Sequence, residues 1–133
     1  TWPVKGTVAA GFAVETLAYN ETMGDWRTHS GLDITADLGA KVLSTANGVV
    51  SHIYQDDMMG TVVEIDHGEG LVSQYANLAE TPTVSVGDTV TTGAVIGSVG
   101  QTAASESGQA AHLHFAMYQD GVPVDPTGYL PEG

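Results

Sequence analysis

Residues 61–78 have the sequence TVVEIDHGEGLVSQYANL, in which two mainly apolar runs flank a short segment with two glycines. Runs of about four to eight residues rich in Val, Ile and Tyr, bounded by glycine, are typical of β-strands. We therefore expect antiparallel strands over Thr61–Asp66 and Leu71–Leu78, joined by a turn at His67–Gly70. Such a hairpin is the repeating unit of an antiparallel sheet.

The rest of the chain continues this pattern. It has 133 residues and 17 glycines, which separate short apolar runs and leave little room for helices. A chain of this length fits one domain and can bury a core without disulfides. The sequence predicts a single all-β domain over residues 1–133.

Further hairpins are expected on either side of the 61–78 segment. Asn47-Gly48 is a strong hairpin signal, and residues 84–97 repeat a valine-turn-valine pattern. That pattern also occurs in lipoyl and biotinyl domains, but these need a lysine at a hairpin tip, and this segment has none. Residues 12–28 lack clean periodicity and are expected to form a packed loop or short hairpin.

Composition excludes several classes of function. The chain has no cysteine, which rules out thiolate zinc ligands and cysteine nucleophiles. Its formal net charge of −13 would repel phosphate backbones, so we expect no nucleic-acid partner. No stretch approaches the roughly 20 apolar residues of a transmembrane helix, and residues 1–3 do not resemble a signal peptide. We expect the chain to be a fragment of a longer protein.

Two clusters of metal-binding side chains lie far apart in the sequence, at His29 and Asp33 and at His112 and His114. Strand alternation would place both late histidines on one sheet face, opposite their apolar neighbours. His29 is expected in a loop that continues into the strand of Asp33, with Gly31 allowing the chain to bend. We expect a zinc site formed by His29, Asp33 and one of the two late histidines. The alternative is that these polar residues only hydrogen-bond one another.

The order of motifs along residues 27–130 resembles the M23 family of zinc metallopeptidases. The motifs that carry the resemblance are His29-x-x-x-Asp33, Asn47-Gly48-Val49-Val50, Ile65-Asp66-His67-Gly68, Val86-Gly87-Asp88, Gly93-x-x-Ile96-Gly97, His112-Leu113-His114-Phe115 and Val124-Asp125-Pro126.

The resemblance implies a fold, an activity and a site. The fold would be a small antiparallel β-sheet with a barrel-like groove, of the LytM and lysostaphin type. The activity would be cleavage of peptide bonds in peptidoglycan stems or cross-bridges. His29, Asp33 and His114 map onto the ligands of Zn²⁺, and His112 maps onto a catalytic histidine.

One position departs from the family pattern. Active members carry a second catalytic histidine in a Tyr-x-His-Leu motif, where this chain has Tyr75-Ala76-Asn77-Leu78. An amide can donate a hydrogen bond, but it does not titrate near neutral pH and cannot accept a proton from water. Loss of such a group costs on the order of 10²- to 10⁴-fold in rate.

Residues 25–29 and 75–78 are also similar to the subgroup related to stage II sporulation protein Q. Members of that subgroup act in a channel between mother cell and forespore, and several have lost peptidase activity. The resemblance implies a zinc-binding, catalytically weakened domain with a scaffold role; the alternative is an active endopeptidase. It also implies an extracytoplasmic location, with any membrane anchor outside this chain. The partners would be peptidoglycan peptides or a membrane protein across the envelope.

Two other histidines receive weaker assignments. His67 lies in the predicted turn, where a side chain is expected to bond the backbone; a role as metal ligand is the alternative. His52 is expected to face solvent from an alternating strand.

Overall fold

The computed structural model describes residues 2–4, 7–10, 13–20, 25–29, 32–56, 60–100 and 112–124. For residues 7–10, 13–20, 25–29 and 32 it describes the backbone only. In the described part of the chain, all regular structure is β-strand. The strands are β1 Thr7–Ala10, β2 Ala13–Asn20, β3 Asp25–His29, β4 Leu32–Thr35, β5 Lys41–Leu43, β6 Gly48–Asp56, β7 Gly60–Gly68, β8 Leu71–Leu78, β9 Thr89–Val90, β10 Val95–Ser98, β11 His112–Gln119 and β12 Val122–Val124.

The main sheet is antiparallel and has eight strands in the order β1-β4-β11-β8-β7-β6-β9, with β12 paired to β11. Two smaller two-stranded sheets are formed by β10 with β5 and by β2 with β3. The main sheet curls into a half-barrel. The all-β prediction is therefore confirmed. No helix capable of spanning a bilayer occurs among the residues described.

The hydrophobic core lies against one face of the main sheet. On β11, Leu113 and Phe115 are fully buried in the core cluster. Tyr75 on β8 contributes from the adjacent strand, its ring 5.2 Å from that of Phe115. Because side chains alternate along a strand, His112 and His114 belong to the opposite face. The predicted division of β11 into an apolar face and a polar face is confirmed for these residues.

The hairpin expected at residues 61–78 forms, but β7 extends to Gly68, so His67 lies in the strand and not in the turn as predicted. β7 and β8 pair antiparallel, with Glu64 opposite Gln74 and Asp66 opposite Val72. Glu69 and Gly70 make the turn with φ values of 56° and 82°. Of the two alternatives expected for residues 12–28, a packed loop or a short hairpin, the antiparallel pair of β2 and β3 matches the hairpin.

The hairpin expected at Asn47-Gly48 is wrong. β5, which precedes it, pairs with β10, whereas β6, which follows it, pairs with β7 and β9. Asn47 instead accepts a hydrogen bond at Oδ1 from the Thr92 amide, at 2.9 Å. Gly48 is needed for close packing, because a Cβ there would lie 2.7 Å from the main-chain oxygen of Asp66.

The pairing expected within residues 84–97 is also wrong, although the turns themselves form. Gly87 and Gly93 have φ values of 95° and 84°, which suit tight turns. The strands after these turns pair elsewhere, β9 with β6 and β10 with β5. The valine pattern therefore specifies two local turns but not the partners of the strands.

Candidate metal and catalytic site

Asp33 and His114 form the centre of the candidate site. They are directly opposite one another on β4 and β11, in an antiparallel register that also places Leu113 opposite Ile34. His114 Nδ1 lies 2.8 Å from Asp33 Oδ1. The two side chains are only 15% and 11% exposed, so solvent weakens the interaction little. The fold thus brings together a carboxylate and an imidazole that are 81 residues apart in the sequence.

This pair suits a zinc ion in its chemistry. Carboxylate oxygen and imidazole nitrogen are both common zinc ligands, and here they converge on one point of the sheet face. Without a metal, His114 Nδ1–H donates to the carboxylate. With one, both groups are deprotonated and can share the cation. Asp33 and His114 therefore fit zinc as two of its ligands.

The third predicted ligand, His29, lies outside what the structure tests. The described side chains contain no group of three metal-binding residues, but the side chain of His29 is not among them. Its backbone is the last position of β3, paired with Ala13 of β2. The expectation that His29 lies in a loop is therefore wrong. The assignment of His29 as a ligand stays a prediction.

His112 is two residues from His114 on β11 and opposite Thr35 of β4. It is buried, with 3% of its surface exposed. Strand alternation places it on the same face as His114. Two residue rises along the strand separate the Cα of His112 from that of His114 by about 7 Å.

Asn77 contacts His112 through the backbone. The side-chain amide of Asn77 donates from Nδ2 to the main-chain carbonyl of His112 at 2.8 Å. Asn77 is 3% exposed and has a φ of 62°, in the left-handed region. Its own carbonyl accepts from the Gly100 amide at 2.9 Å. The described contacts of this residue are those of a structural link between backbone segments.

A second polar group, not predicted from the sequence, lies on the same face of the sheet. Tyr54 donates to Glu64 Oε2 at 2.7 Å, and Gln74 Nε2 donates to the same oxygen at 3.1 Å. Burial, followed by the hydrogen bond to Glu64, raises the pKa of the Tyr54 phenol. His52 Nδ1 lies 3.6 Å from Glu64 Oε1. The side chain of His52 is 68% exposed, which confirms the prediction that it faces solvent.

A chain of hydrogen bonds also runs from the surface into the core. His67 Nδ1–H donates to the Asn47 carbonyl, and His67 Nε2 is bonded to Ser73 Oγ, both at 2.7 Å. Ser73 Oγ is 2.8 Å from the Tyr75 hydroxyl, which accepts from the Thr45 amide at 3.1 Å. Burial raises the pKa of Tyr75. His67 therefore bonds the backbone, as expected, although its partner lies 20 residues away.

Sequence reasoning missed the groups around Glu64 and Tyr75. Both depend on the register of neighbouring strands, which residue patterns alone do not give. Ser73 and Tyr75 are two residues apart on β8 and therefore share one face of the sheet. This spacing was the available signal for the buried series of hydrogen bonds.

A curled antiparallel sheet with a carboxylate–imidazole pair on neighbouring strands is compatible with a metal-binding domain. The profile of peptidase family M23 matches residues 27–126. The chain belongs to that family, which confirms the resemblance drawn from its motifs.

Relatives of known name agree with this assignment. The chain is 32% identical to stage II sporulation protein Q of Bacillus subtilis over 86% of its own length, and 34% identical to the cell division protein DipM of Caulobacter vibrioides over 98%. It is 32% identical to the DD-carboxypeptidase/endopeptidase Mpg of Neisseria meningitidis over 87%. The matches span 39%, 20% and 28% of these proteins, respectively, so the chain corresponds to a minor part of each.

Solved structures show the same fold. A chain in the crystal structure of the SpoIIIAH and SpoIIQ complex superposes with a TM-score of 0.83 at 27% identity, covering 98% of this chain and 99% of that one. A zinc-containing peptidase from Vibrio cholerae superposes with a TM-score of 0.80 at 25% identity, covering 99% of this chain and 39% of that one. The groove-forming sheet expected from the family resemblance is thereby confirmed.

Proposed function

We propose that this chain is a zinc-binding domain of the bacterial cell envelope whose peptidase chemistry is weakened at Asn77 and which serves in protein assembly. The observation that supports zinc binding is the 2.8 Å distance between His114 Nδ1 and Asp33 Oδ1. In the proposal these residues hold zinc together with His29. When bound, zinc supplies Lewis-acid polarisation of a peptide carbonyl and a nucleophile at neutral pH.

In this proposal, His112 can transfer a proton during hydrolysis, whereas Asn77 cannot. His112 is two residues from His114 on the same strand and is the imidazole available to hold or release a proton. The amide of Asn77 does not titrate near neutral pH, and it already donates to the His112 carbonyl. Because one of two proton-handling groups is missing, hydrolysis should be slower by on the order of 10²- to 10⁴-fold than with histidine at position 77.

The assembly role rests on likeness to a chain whose crystal structure is that of a complex of two proteins, SpoIIIAH and SpoIIQ. The chain in the SpoIIIAH and SpoIIQ complex has nearly the same extent as this one, with 98% and 99% coverage. We propose a corresponding partner here, a membrane protein reached across the envelope, and an extracytoplasmic location for the domain. A net charge of −13 favours a partner with a basic surface.

An active endopeptidase that cuts peptidoglycan stems or cross-bridges is the second candidate. It is favoured by the presence of Asp33, His112 and His114 in one sheet region. A domain with only a scaffold role has no evident use for a metal-binding pair. The likeness to Mpg, named as a carboxypeptidase and endopeptidase, supports the same candidate.

Mass spectrometry of peptidoglycan fragments after digestion separates the two. We would compare the zinc-loaded wild-type chain, Asn77→His and, as a metal-site control, Asp33→Asn. The proposal expects new peptide termini to appear at least about 100-fold faster with Asn77→His than with wild type, and none with Asp33→Asn. Equal cleavage by wild type and Asn77→His would establish the active endopeptidase instead. If both bind zinc and neither cleaves, the view that Asn77 alone weakens the site is wrong.

A further inference from the structure

The Tyr54–Glu64–Gln74 group is not used by the metal site, yet it lies on the same face of the sheet. His114 is opposite Ala76 on β8, and Gln74 is two residues further along that strand. Glu64 is directly opposite Gln74 on β7. Two strand spacings and two residue rises place the Cα of Glu64 about 12 Å from that of His114. This is roughly the length of three residues of extended peptide.

The carboxylate of Glu64 is held in a fixed position. Its Oε2 accepts from Tyr54 and from Gln74, at 2.7 and 3.1 Å. Gln74 Nε2 also lies 3.3 Å from the Tyr54 hydroxyl, which closes the group. Two residues, one on each neighbouring strand, thus orient one charged group that is 21% exposed.

The other oxygen of this carboxylate has spare capacity. Glu64 Oε1 has His52 Nδ1 as its charged neighbour, at 3.6 Å, which is too long for a hydrogen bond. No lysine or arginine forms an ion pair with Glu64 within the described part of the chain. The negative charge is therefore oriented by neutral donors rather than neutralised by a cation.

Gln74 gives a second indication of a ligand. The residue is 7% exposed, and its Oε1 has no hydrogen-bond partner among the described residues. A buried carbonyl without a donor costs free energy, and such atoms are rare in folded proteins. The nitrogen of the same side-chain amide, Gln74 Nε2, is bonded to Tyr54 and Glu64. Glu64 Oε1 and Gln74 Oε1 thus belong to one hydrogen-bonded group, and neither accepts a hydrogen bond from the described residues.

We propose that Glu64 and Gln74 form a subsite for a positively charged group, the free ammonium of a peptide bound along the sheet toward Asp33 and His114. An ammonium group has three donors and no acceptor, which matches two acceptors without donors. The net charge of −13 would draw such a peptide toward the sheet. The inference rests on the proposed function, because it identifies the peptide by an amino group about three residues from the metal site.

The test is calorimetric titration of the chain, in buffer containing zinc, with two capped peptides, Ala-Ala-Lys-Ala-Ala and the same peptide with an acetylated lysine side chain. Wild type should bind the free-amine peptide about tenfold more tightly, as expected for one charge-assisted hydrogen-bonded contact. Glu64→Gln should abolish this preference, whereas Glu80→Gln, the same change at an exposed position, should retain it. Thermal unfolding would confirm that both variants fold.

Equal affinity for the two peptides, no binding of either, or a preference that survives in Glu64→Gln would overturn the subsite. The outcome is separable from the metal proposal, because zinc content is measured independently on the same samples. A chain that binds zinc but shows no amine preference refutes only the subsite. A chain that prefers the amine but does not bind zinc refutes only the metal site.

Discussion

The side-chain amide of Asn77 donates to the main-chain carbonyl of His112 at 2.8 Å and joins β8 to β11, the strand that carries His112 and His114. The residue at the position where the family resemblance predicts a second catalytic histidine therefore has a structural role of its own. Its φ of 62° adds a second constraint, because most side chains disfavour the left-handed region.

These two constraints can be measured separately at position 77. Asn77→Gly removes the hydrogen bond but tolerates the positive φ, and it should lower the free energy of unfolding by about 1–2 kcal/mol. Asn77→Ala adds backbone strain and should cost about 1 kcal/mol more. Urea unfolding of both variants checks the order. A glycine variant less stable than the alanine variant would contradict the account.

The buried hydroxyl of Tyr75 should be important for stability. Tyr75→Phe removes the acceptor of the Thr45 amide and the partner of Ser73, and should cost about 1–3 kcal/mol. Tyr54→Phe is the control, since Tyr54 as a residue is 37% exposed whereas Tyr75 is fully buried, and it should cost less than Tyr75→Phe. Denaturant midpoints of the two variants test this. Equal losses of stability would show that burial of the Tyr75 hydroxyl is unimportant.

The raised pKa of Tyr75 predicts sensitivity to alkaline pH. Above about pH 10, a tyrosine in the unfolded chain loses its proton, whereas the buried phenol keeps it, so the unfolded state binds fewer protons. Stability is unaffected below that pH and should fall above it, by up to about 1.4 kcal/mol per pH unit from this residue. Unfolding free energies measured from about pH 9 to pH 11 should decline less steeply in Tyr75→Phe. Parallel declines would refute the prediction.

Substitution of Gly48 should be destabilising because a side chain would clash with its neighbours, not because the backbone needs the conformational freedom of glycine. A Cβ at this position would lie 2.7 Å from both Asp66 O and Ile65 Cγ2, and Gly48→Ala should cost about 1–3 kcal/mol. Gly97→Ala is the control, since a Cβ there would be an ordinary 3.5 Å from Leu78 Cδ1 and should change stability by less than about 1 kcal/mol. Thermal melts would decide; if Gly48→Ala were no worse than Gly97→Ala, the contact would be unimportant.

Features that depend on local pattern were predictable from the sequence. The β7–β8 hairpin follows from alternation around a glycine turn, and the burial of Leu113 and Phe115 follows from the strand period of two. The approach of Asp33 to His114 was also expected, although on the strength of ordered motifs that resemble a family rather than of any local rule.

Features that depend on long-range pairing were not predictable. Asn47-Gly48 has the composition of a hairpin turn, yet the strands on its two sides find partners elsewhere because packing decides between competing pairings. The group around Glu64 requires three strands in one register, and a slip of one residue would turn each side chain to the other face. No single segment contains that information.

Zinc titration of the wild-type chain beside His114→Gln and Asp33→Asn tests the central claim most directly. The account predicts one tightly bound zinc in wild type, loss of at least about 100-fold in affinity in both variants, and full binding in His52→Gln, which removes an exposed histidine. Zinc bound by His114→Gln with wild-type affinity would contradict it, and the 2.8 Å approach to Asp33 would then be a hydrogen bond of the fold alone.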